Sequence, residues 1–238
     1  TGTTIDVGPN KLVANSAGNV GIGTASPTAN LSVNSSNVET KINITDSTTG
    51  STITDGLLLQ SGAANAYLWN YEAGNLIVGN NNAEAMRIDA AGIVTMPLQP
   101  AFQVRPSVVQ DNIATSGSVT VVLGSEIFDQ NSDFNTSNSL FTAPVTGKYQ
   151  FNFAIRLDNI DTAANYYQTR IVTSNRTYEM TQQLNRFSAD VQYWNMPTMA
   201  ALTDMDAGDT AFFEVSQSAG TAQTDIVDTT VVSGYLVC

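Results

Sequence analysis

The stretch Phe141-Thr-Ala-Pro-Val-Thr-Gly-Lys-Tyr-Gln-Phe-Asn-Phe153 decides the fold class of this chain. From Tyr149 the residues alternate, with Tyr149, Phe151, Phe153, Ile155 and Leu157 on one side and Lys148, Gln150, Asn152, Ala154 and Arg156 on the other. A period of two is that of a half-buried β-strand. Pro144 and Gly147 bracket a turn before it, so Ser139–Ala143 is expected to end a neighbouring strand there.

Working outward, the C-terminal half continues in the same style. Short apolar groups recur at Phe102/Val104, Val119/Val121/Leu123, Tyr166–Val172, Arg176–Gln182, Phe187–Leu202, Ala211–Ser216 and Val231–Val237. Strands at this spacing, with turn residues between them, suit a sandwich. Phe212 and Phe213 are adjacent and must point to opposite faces, as must Tyr166 and Tyr167. One of each pair can fill the core. The other, Phe212 or Tyr166, is free to pack against a second chain or to sit half exposed at a sheet end.

Residues 1–100 read differently. Their apolar residues come in groups such as Val20/Ile22, Leu31/Val33, Ile42/Ile44 and Met86/Ile88, between turns rich in Asn, Gly, Ser and Thr. Each group is too small to bury its own face. Such segments become stable when neighbouring copies supply the missing face, as in β-solenoids and intertwined fibres. The triplet Leu57-Leu58-Leu59 implies burial on both faces, which in a thin shaft requires other chains, and Leu58 and Trp69 are expected at that interface. Pro97 and Pro100 interrupt strand pairing and mark a neck at 98–100.

Two resemblances sharpen this reading. The pattern Phe-Thr-Ala-Pro-Val-x-Gly-x-Tyr-x-Phe at 141–151 resembles the hallmark of the complement C1q globular-head family. Ile127-Phe-Asp-Gln-Asn-Ser-Asp-Phe-Asn135, Gly208-Asp-Thr-Ala-Phe-Phe213 and Ser233-Gly-Tyr-Leu-Val237 are similar to further segments of that family, in the same order. Ser132 and Asp133 stand where a glycine is usual. The resemblance spans about 101–238 and implies a ten-stranded jelly roll that packs as a trimer. Ala17-Gly-Asn-Val-Gly-Ile-Gly-Thr-Ala-Ser-Pro-Thr-Ala-Asn-Leu-Ser-Val33 and Ala85-Met-Arg-Ile-Asp-Ala-Ala-Gly-Ile-Val-Thr-Met-Pro97 resemble repeats of bacteriophage tail-fibre shafts. Ala66–Asn70 and Leu76–Gly79 fit the strand pair that precedes the second repeat. Ala83–Ala90 is rich in helix formers, yet the resemblance favours a strand there, and eight residues make a marginal helix.

Composition excludes several classes of function. The formal net charge is −12 and Lys plus Arg number nine, so no basic patch can track phosphates and nucleic acid is not a partner. No apolar run approaches a membrane span, and no membrane insertion is expected. Histidine is absent, which removes the Ser-His-Asp and Cys-His arrangements and the commonest zinc ligand. The one cysteine, Cys238, rules out an internal disulfide. Beginning at Thr1, the chain is expected to be a piece of a longer protein.

Chemistry, if any, would rest on carboxylates. Asp204, Asp206 and Asp209 lie close in sequence and could offer oxygen ligands to calcium, although Asp/Gly clusters are also ordinary turn chemistry. Some relatives of the resembled family carry calcium at the trimer apex. Asp158/Asp161 and Asp225/Asp228 could each supply half of a two-carboxylate glycosidase site, or simply line solvated loops. Arg176, Tyr178, Gln182, Arg186, Tyr193 and Trp194 combine aromatic faces with amide or guanidinium donors and are candidate receptor-binding residues. Trp194 is equally a candidate for the core or a subunit interface.

The resulting expectation is an all-β chain: an intertwined trimeric β-fibre shaft over 1–97, a neck, and a C1q-like ten-stranded jelly-roll head over 101–238. By resemblance it is the distal part of a phage tail fibre on the virion. Its expected partners are two further copies, upstream tail-fibre or baseplate proteins, and a host cell-surface receptor. The rivals are a tailspike that cleaves polysaccharide and a bacterial adhesin with no virus involved.

Overall fold

The motif at 141–151 is a device for turning the chain from one sheet of a sandwich into the other. A computed structural model of the chain describes residues 12–184 and 187–238, which are all-β with no helix among them. They fall into two units, Thr1–Thr95 and Met96–Cys238.

In the first unit β1 (Leu12–Ala14), β2 (Val20–Ile22) and β3 (Leu31–Val33) form one small sheet. The strands β4 (Glu39–Ile44), β5 (Leu57–Gly62) and β6 (Asn65–Asn70) form an antiparallel meander. A second meander follows in β7 (Leu76–Asn80), β8 (Ala83–Ile88) and β9 (Val94–Thr95). The helix formers of β8 are overruled by the hairpin before it. Asn81 and Asn82 both take positive φ, 48° and 60°, as a two-residue type I′ turn demands, and this sets Ala83 opposite Asn80.

The β4–β6 meander has two unlike faces. Ile42, Leu59 and Leu68 form one rung, with Ile44 opposite Leu57 beside it, and Ile42, Ile44, Leu59 and Leu68 are all exposed. Leu58 points the other way, in the rung of Asn43 and Trp69. The Asn43 amide donates to the Thr52 carbonyl at 2.8 Å, which ties the β4–β5 loop back toward this face. Leu58 is 0% exposed, so its own chain covers it and it cannot serve the intersubunit role expected of it. Trp69 is exposed and lies between Tyr67 and Tyr71, with ring centroids 6.1 and 6.3 Å away.

In the second unit one sheet has the order β12-β10-β23-β15-β20, from β12 (Ser125–Asp129), β10 (Ala101–Arg105), β23 (Val231–Leu236), β15 (Gly147–Ala154) and β20 (Met199–Met205). The facing sheet runs β13-β14-β21-β17-β18, from β13 (Phe134–Asn135), β14 (Leu140–Thr142), β21 (Thr210–Ser218), β17 (Tyr166–Thr173) and β18 (Thr177–Gln182). Here β11 (Val119–Thr120) also pairs with β21. A third ladder, β19-β16-β22, is built from β19 (Val191–Asn195), β16 (Arg156–Ile160) and β22 (Asp225–Ile226). Its order repeats that of β20, β15 and β23, so these are three long strands interrupted at one level. Pro197 lies in the β19–β20 gap, where it cannot donate a ladder hydrogen bond. The alternation read from the sequence survives the break: Tyr149, Phe151, Phe153, Ile155 and Leu157 are all buried.

Ser139–Ala143 does not pair with the strand that follows it. It belongs to the opposite sheet, and Phe141 meets Tyr149 and Phe151 across the core, at 5.4 Å in each case. The Tyr149 hydroxyl donates to the Val145 carbonyl at 2.7 Å, fastening the turn to the strand that leaves it. Phe102 lies 5.1 Å from Phe141 and 5.0 Å from Phe134, and Phe213 closes the cluster against Phe151 and Phe153.

Two backbone positions give testable consequences. A Cβ on Gly234 would stand 2.6 Å from Phe151 and 2.7 Å from Phe102, so only glycine lets β23 pass between those rings. Gly234→Ala should destabilise the head by about 1–3 kcal/mol through overpacking, read by thermal unfolding. Ser132 has φ 61°, the left-handed conformation that the usual glycine would adopt freely. The left-handed penalty is about 1–2 kcal/mol, and glycine's extra unfolded freedom offsets part of its removal. Ser132→Gly should therefore stabilise the same transition by about 0.5–1 kcal/mol, and no gain would contradict the assignment of strain there.

Candidate functional site

Strand register divides the second unit into two ends. Ala101 is opposite Tyr235, which is opposite Gln150, so the chain enters at the end where β15 begins. The Asp204–Asp209 turn belongs to this entry end, since Gly147 is opposite Met205 and Lys148 opposite Asp204. The far end is built by β16, β19 and β22 and by the loops before β17 and after β21.

At the entry end the three aspartates do not converge. Asp204 pairs with Arg176 at 2.8 Å. Asp209 accepts from the Asn175 amide and from the Asp206 backbone N–H, each at 2.8 Å. Asp206 accepts from the Thr146 hydroxyl at 3.5 Å. Each carboxylate serves a different protein donor in closing the turn, and among the described residues no group of three acidic, His or Cys side chains could hold a metal ion. The calcium expected of Asp204, Asp206 and Asp209 thus lacks a gathered ligand set. A recess of about 360 Å³ beside them is lined in part by Thr146, Lys148, Asn175 and Asp206.

The six candidate receptor-binding residues are not brought to one patch. Arg176 lies at the entry end in its ion pair. Tyr178 and Gln182 are opposite Ile171 and Tyr167, both core residues, so they occupy the inner face of β18, and Tyr178 packs on the core. Trp194 is 8% exposed and meets Tyr167 and Phe187 edge-on, at 6.2 and 5.6 Å. Its indole is committed to packing, the bland alternative of the sequence reading. Arg186 lies outside the described residues. Tyr193, next to Trp194 and so on the opposite face of β19, is 58% exposed.

Around Tyr193 the far end does present a coherent surface, and sequence reasoning named only part of it. The Arg156 guanidinium stands 5.0 Å from the Tyr193 ring centroid, a cation–π geometry. The same guanidinium forks onto Asp158, with Nε to Oδ1 at 2.9 Å and Nη2 to Oδ2 at 3.3 Å. That hydrogen-bonded partner, before any other cause, raises the affinity of Arg156 for its proton. Asp225, opposite Asp158, accepts from the Asn112 backbone at 2.8 Å and from the Asn159 amide at 2.7 Å. Asp190 accepts from the Thr162 backbone and hydroxyl and from the Gln223 amide, which holds its carboxyl below the ordinary range. Amides, carboxylates and one exposed ring suit a ligand bearing hydroxyl groups. The alternation of β16 placed Arg156 on the outer face, but only the pairing of β16 with β19 reveals its position over Tyr193.

Tyr166 and Phe212, the expected intersubunit aromatics, lie on the outer face of the β13-β14-β21-β17-β18 sheet. Tyr167 and Phe213 fill the core at 0% exposure, while Tyr166 is exposed and Phe212 half-buried.

Among solved structures, the globular domain of zebrafish complement 1qA is 18% identical, with a TM-score of 0.42 over 59% of this chain and 98% of that one. Murine APRIL at pH 8.5 is 9% identical, with a TM-score of 0.41 over 58% and 99% of the two chains. A second murine APRIL structure, at pH 8.0, is 11% identical, with a TM-score of 0.42 over the same shares. No curated protein matches the chain. The family model of the C1q domain matches residues 101–237, more than half of the sequence, and the chain accordingly belongs to the C1q domain family.

Proposed function

We propose that this chain is the distal part of a bacteriophage tail fibre: a homotrimer with an intertwined β shaft over 1–97, a neck at 98–100 and a head over 101–238 that attaches the virion to a receptor on the host bacterium. A C1q domain supports a binding or structural role. The finer reading is carried by one observation. Aliphatic residues of the first unit's strands, among them Ile22, Leu31, Ile42, Ile44, Leu59, Leu68, Ile77 and Val78, remain exposed. Burying an aliphatic side chain is worth about 1.5–3 kcal/mol, so a row of them in water argues for copies of the same chain as cover. The resemblance of 17–33 and 85–97 to tail-fibre repeats supports the same reading.

The head offers a matching surface. On the outer face of the β12-β10-β23-β15-β20 sheet, Leu202 and Tyr235 flank Gln150, while Ala200, Asn152, Ser233, Gln103 and Phe128 form the neighbouring row. Leu202, Tyr235 and Phe128 are exposed, and these two rows hold no charged residue. The outer face of the facing sheet instead carries Arg170, Glu179 and Glu214. Interface cores are depleted of charge and enriched in aromatic residues, so the neutral face is the trimer contact. Tyr166 and Phe212 are on the charged side.

Attachment by such a tip is multivalent, and weak sites on one stem gain avidity without high affinity at any of them. Upstream fibre or baseplate proteins would hold the other end of the stem. The enzymatic rival loses ground because Asp158 is engaged by Arg156 and Asp225 by Asn112 and Asn159.

Sedimentation equilibrium of the whole chain should give a trimer at micromolar concentration, and Leu59→Lys and Tyr235→Lys should each weaken it. A monomeric wild-type chain would remove the proposal. Fluorescently labelled protein should decorate susceptible bacteria, and Tyr193→Ala should reduce that binding by about tenfold, the loss of ~1.4 kcal/mol at an exposed aromatic contact. Decoration that survives deletion of residues 101–238 would move the adhesive function out of the head.

A further inference from the structure

A recess on the charged outer face of the head has the chemistry of a sugar site. Its floor is set by two paired strands, with Ser218 opposite Tyr166 and with Ser216 and Arg170 further along them. The loop Thr115–Ser118 forms the wall, anchored by the Ala219 N–H donating to the Thr115 carbonyl at 3.0 Å and by Arg170 Nη1 donating to the Ser118 hydroxyl. The recess is open to solvent and measures about 320 Å³, at the small end of the range for ligand sites and ample for one hexose ring.

Three features select the ligand class. First, the hydroxyls of Ser116, Ser216 and Ser218 have no side-chain hydrogen-bond partner among the described residues, although Ser216 is 7% exposed and lies on a sheet floor. A hydroxyl both donates and accepts, which matches the hydroxyls of a sugar. Second, Tyr166 presents a ring that is 36% exposed at the edge of the recess, a surface for the apolar face of a pyranose. Third, Arg170 is held in place, with Nε donating to the Gln168 amide oxygen at 2.9 Å and carboxylates of Glu179 and Glu214 at 3.4 and 3.9 Å. Arg170 is the one charged residue of the lining, and the carboxylates of Glu179 and Glu214 beside it offset its charge, so the recess offers no net positive charge to select phosphorylated or acidic sugars.

We propose that this recess binds a single neutral hexose residue of a bacterial surface glycan. The inference rests on the reading of the head as a receptor-binding tip, and it names the receptor class and a contact distinct from the Tyr193 surface.

The test is a titration of the whole chain with methyl glucoside, methyl galactoside, methyl mannoside and methyl N-acetylglucosaminide, followed by saturation-transfer NMR, with N-acetylneuraminic acid as the acidic probe. At least one neutral glycoside should bind in the millimolar range, and the acidic probe should not. Tyr166→Ala should weaken binding by about tenfold, and Ser116→Trp, an exposed loop position that can fill the recess, should abolish it. Unfolding temperatures equal to wild type would show that both variants fold. No binding of any neutral glycoside, preference for the acidic probe, or binding that survives both recess variants overturns the proposal. Decoration of bacteria that persists in Tyr166→Ala and Ser116→Trp would overturn the recess as the receptor contact and leave the fibre reading intact. Glycoside binding without decoration by the wild-type chain would count against the fibre reading alone.

Discussion

The head depends on aromatic packing across two sheets, and that packing depends on one missing methyl group. Phe141 comes from one sheet, Phe102, Tyr149 and Phe151 from the other, and their rings meet at 5.1–5.4 Å. Aromatic pairs at such spacing add about 0.5–1.5 kcal/mol each beyond the area they bury. Gly234 lies opposite both Phe102 and Phe151, and its bare Cα leaves room for the rings. The turn between β14 and β15 then has little freedom, because Tyr149 is fixed in the core and holds the Val145 carbonyl.

The first unit has nothing equivalent. Its sheets have three strands each, and its rings at Tyr67, Trp69 and Tyr71 lie along one strand instead of meeting across a sandwich. Among its described residues Leu58 is the one large side chain that is fully buried, and Trp69 in the same rung is exposed. A three-stranded sheet with one aliphatic face open to water lacks a second layer to bury that face, and in the proposed assembly copies of the chain supply it.

How far the sequence could be read follows from the range of the interactions involved. The period-two run from Tyr149 to Leu157 is local, and it was legible because each residue's face depends only on its neighbours. At 83–90 local helix propensity opposes the strand that the resemblance implies, and the strand forms because Asn81-Asn82 turns it back onto β7. Tyr178 and Gln182 were misjudged because alternation says which residues share a face and not which face meets the core; that depends on Ile171 and Tyr167 opposite them. Trp194 is decided by Tyr167, well before it in sequence. Leu58 reads as an interface residue because nothing in its triplet shows that its own chain buries it. The Arg170 recess is joined by Ser118, 52 positions away, and no motif signals that meeting.

A sandwich has two outer faces, and here they differ in kind. The rows with Leu202, Tyr235 and Phe128 carry no charge, so burying them sacrifices little hydration. The face with Arg170, Glu179 and Glu214 carries charge that would be costly to dehydrate. In the proposed trimer the first face turns inward and the second stays in solvent. The serine-lined recess opens on that second face, close to the far end, so assembly would cover none of the three copies. The arrangement places adhesion and oligomerisation on opposite sheets of one core, which lets a substitution in the recess change the ligand without disturbing the trimer.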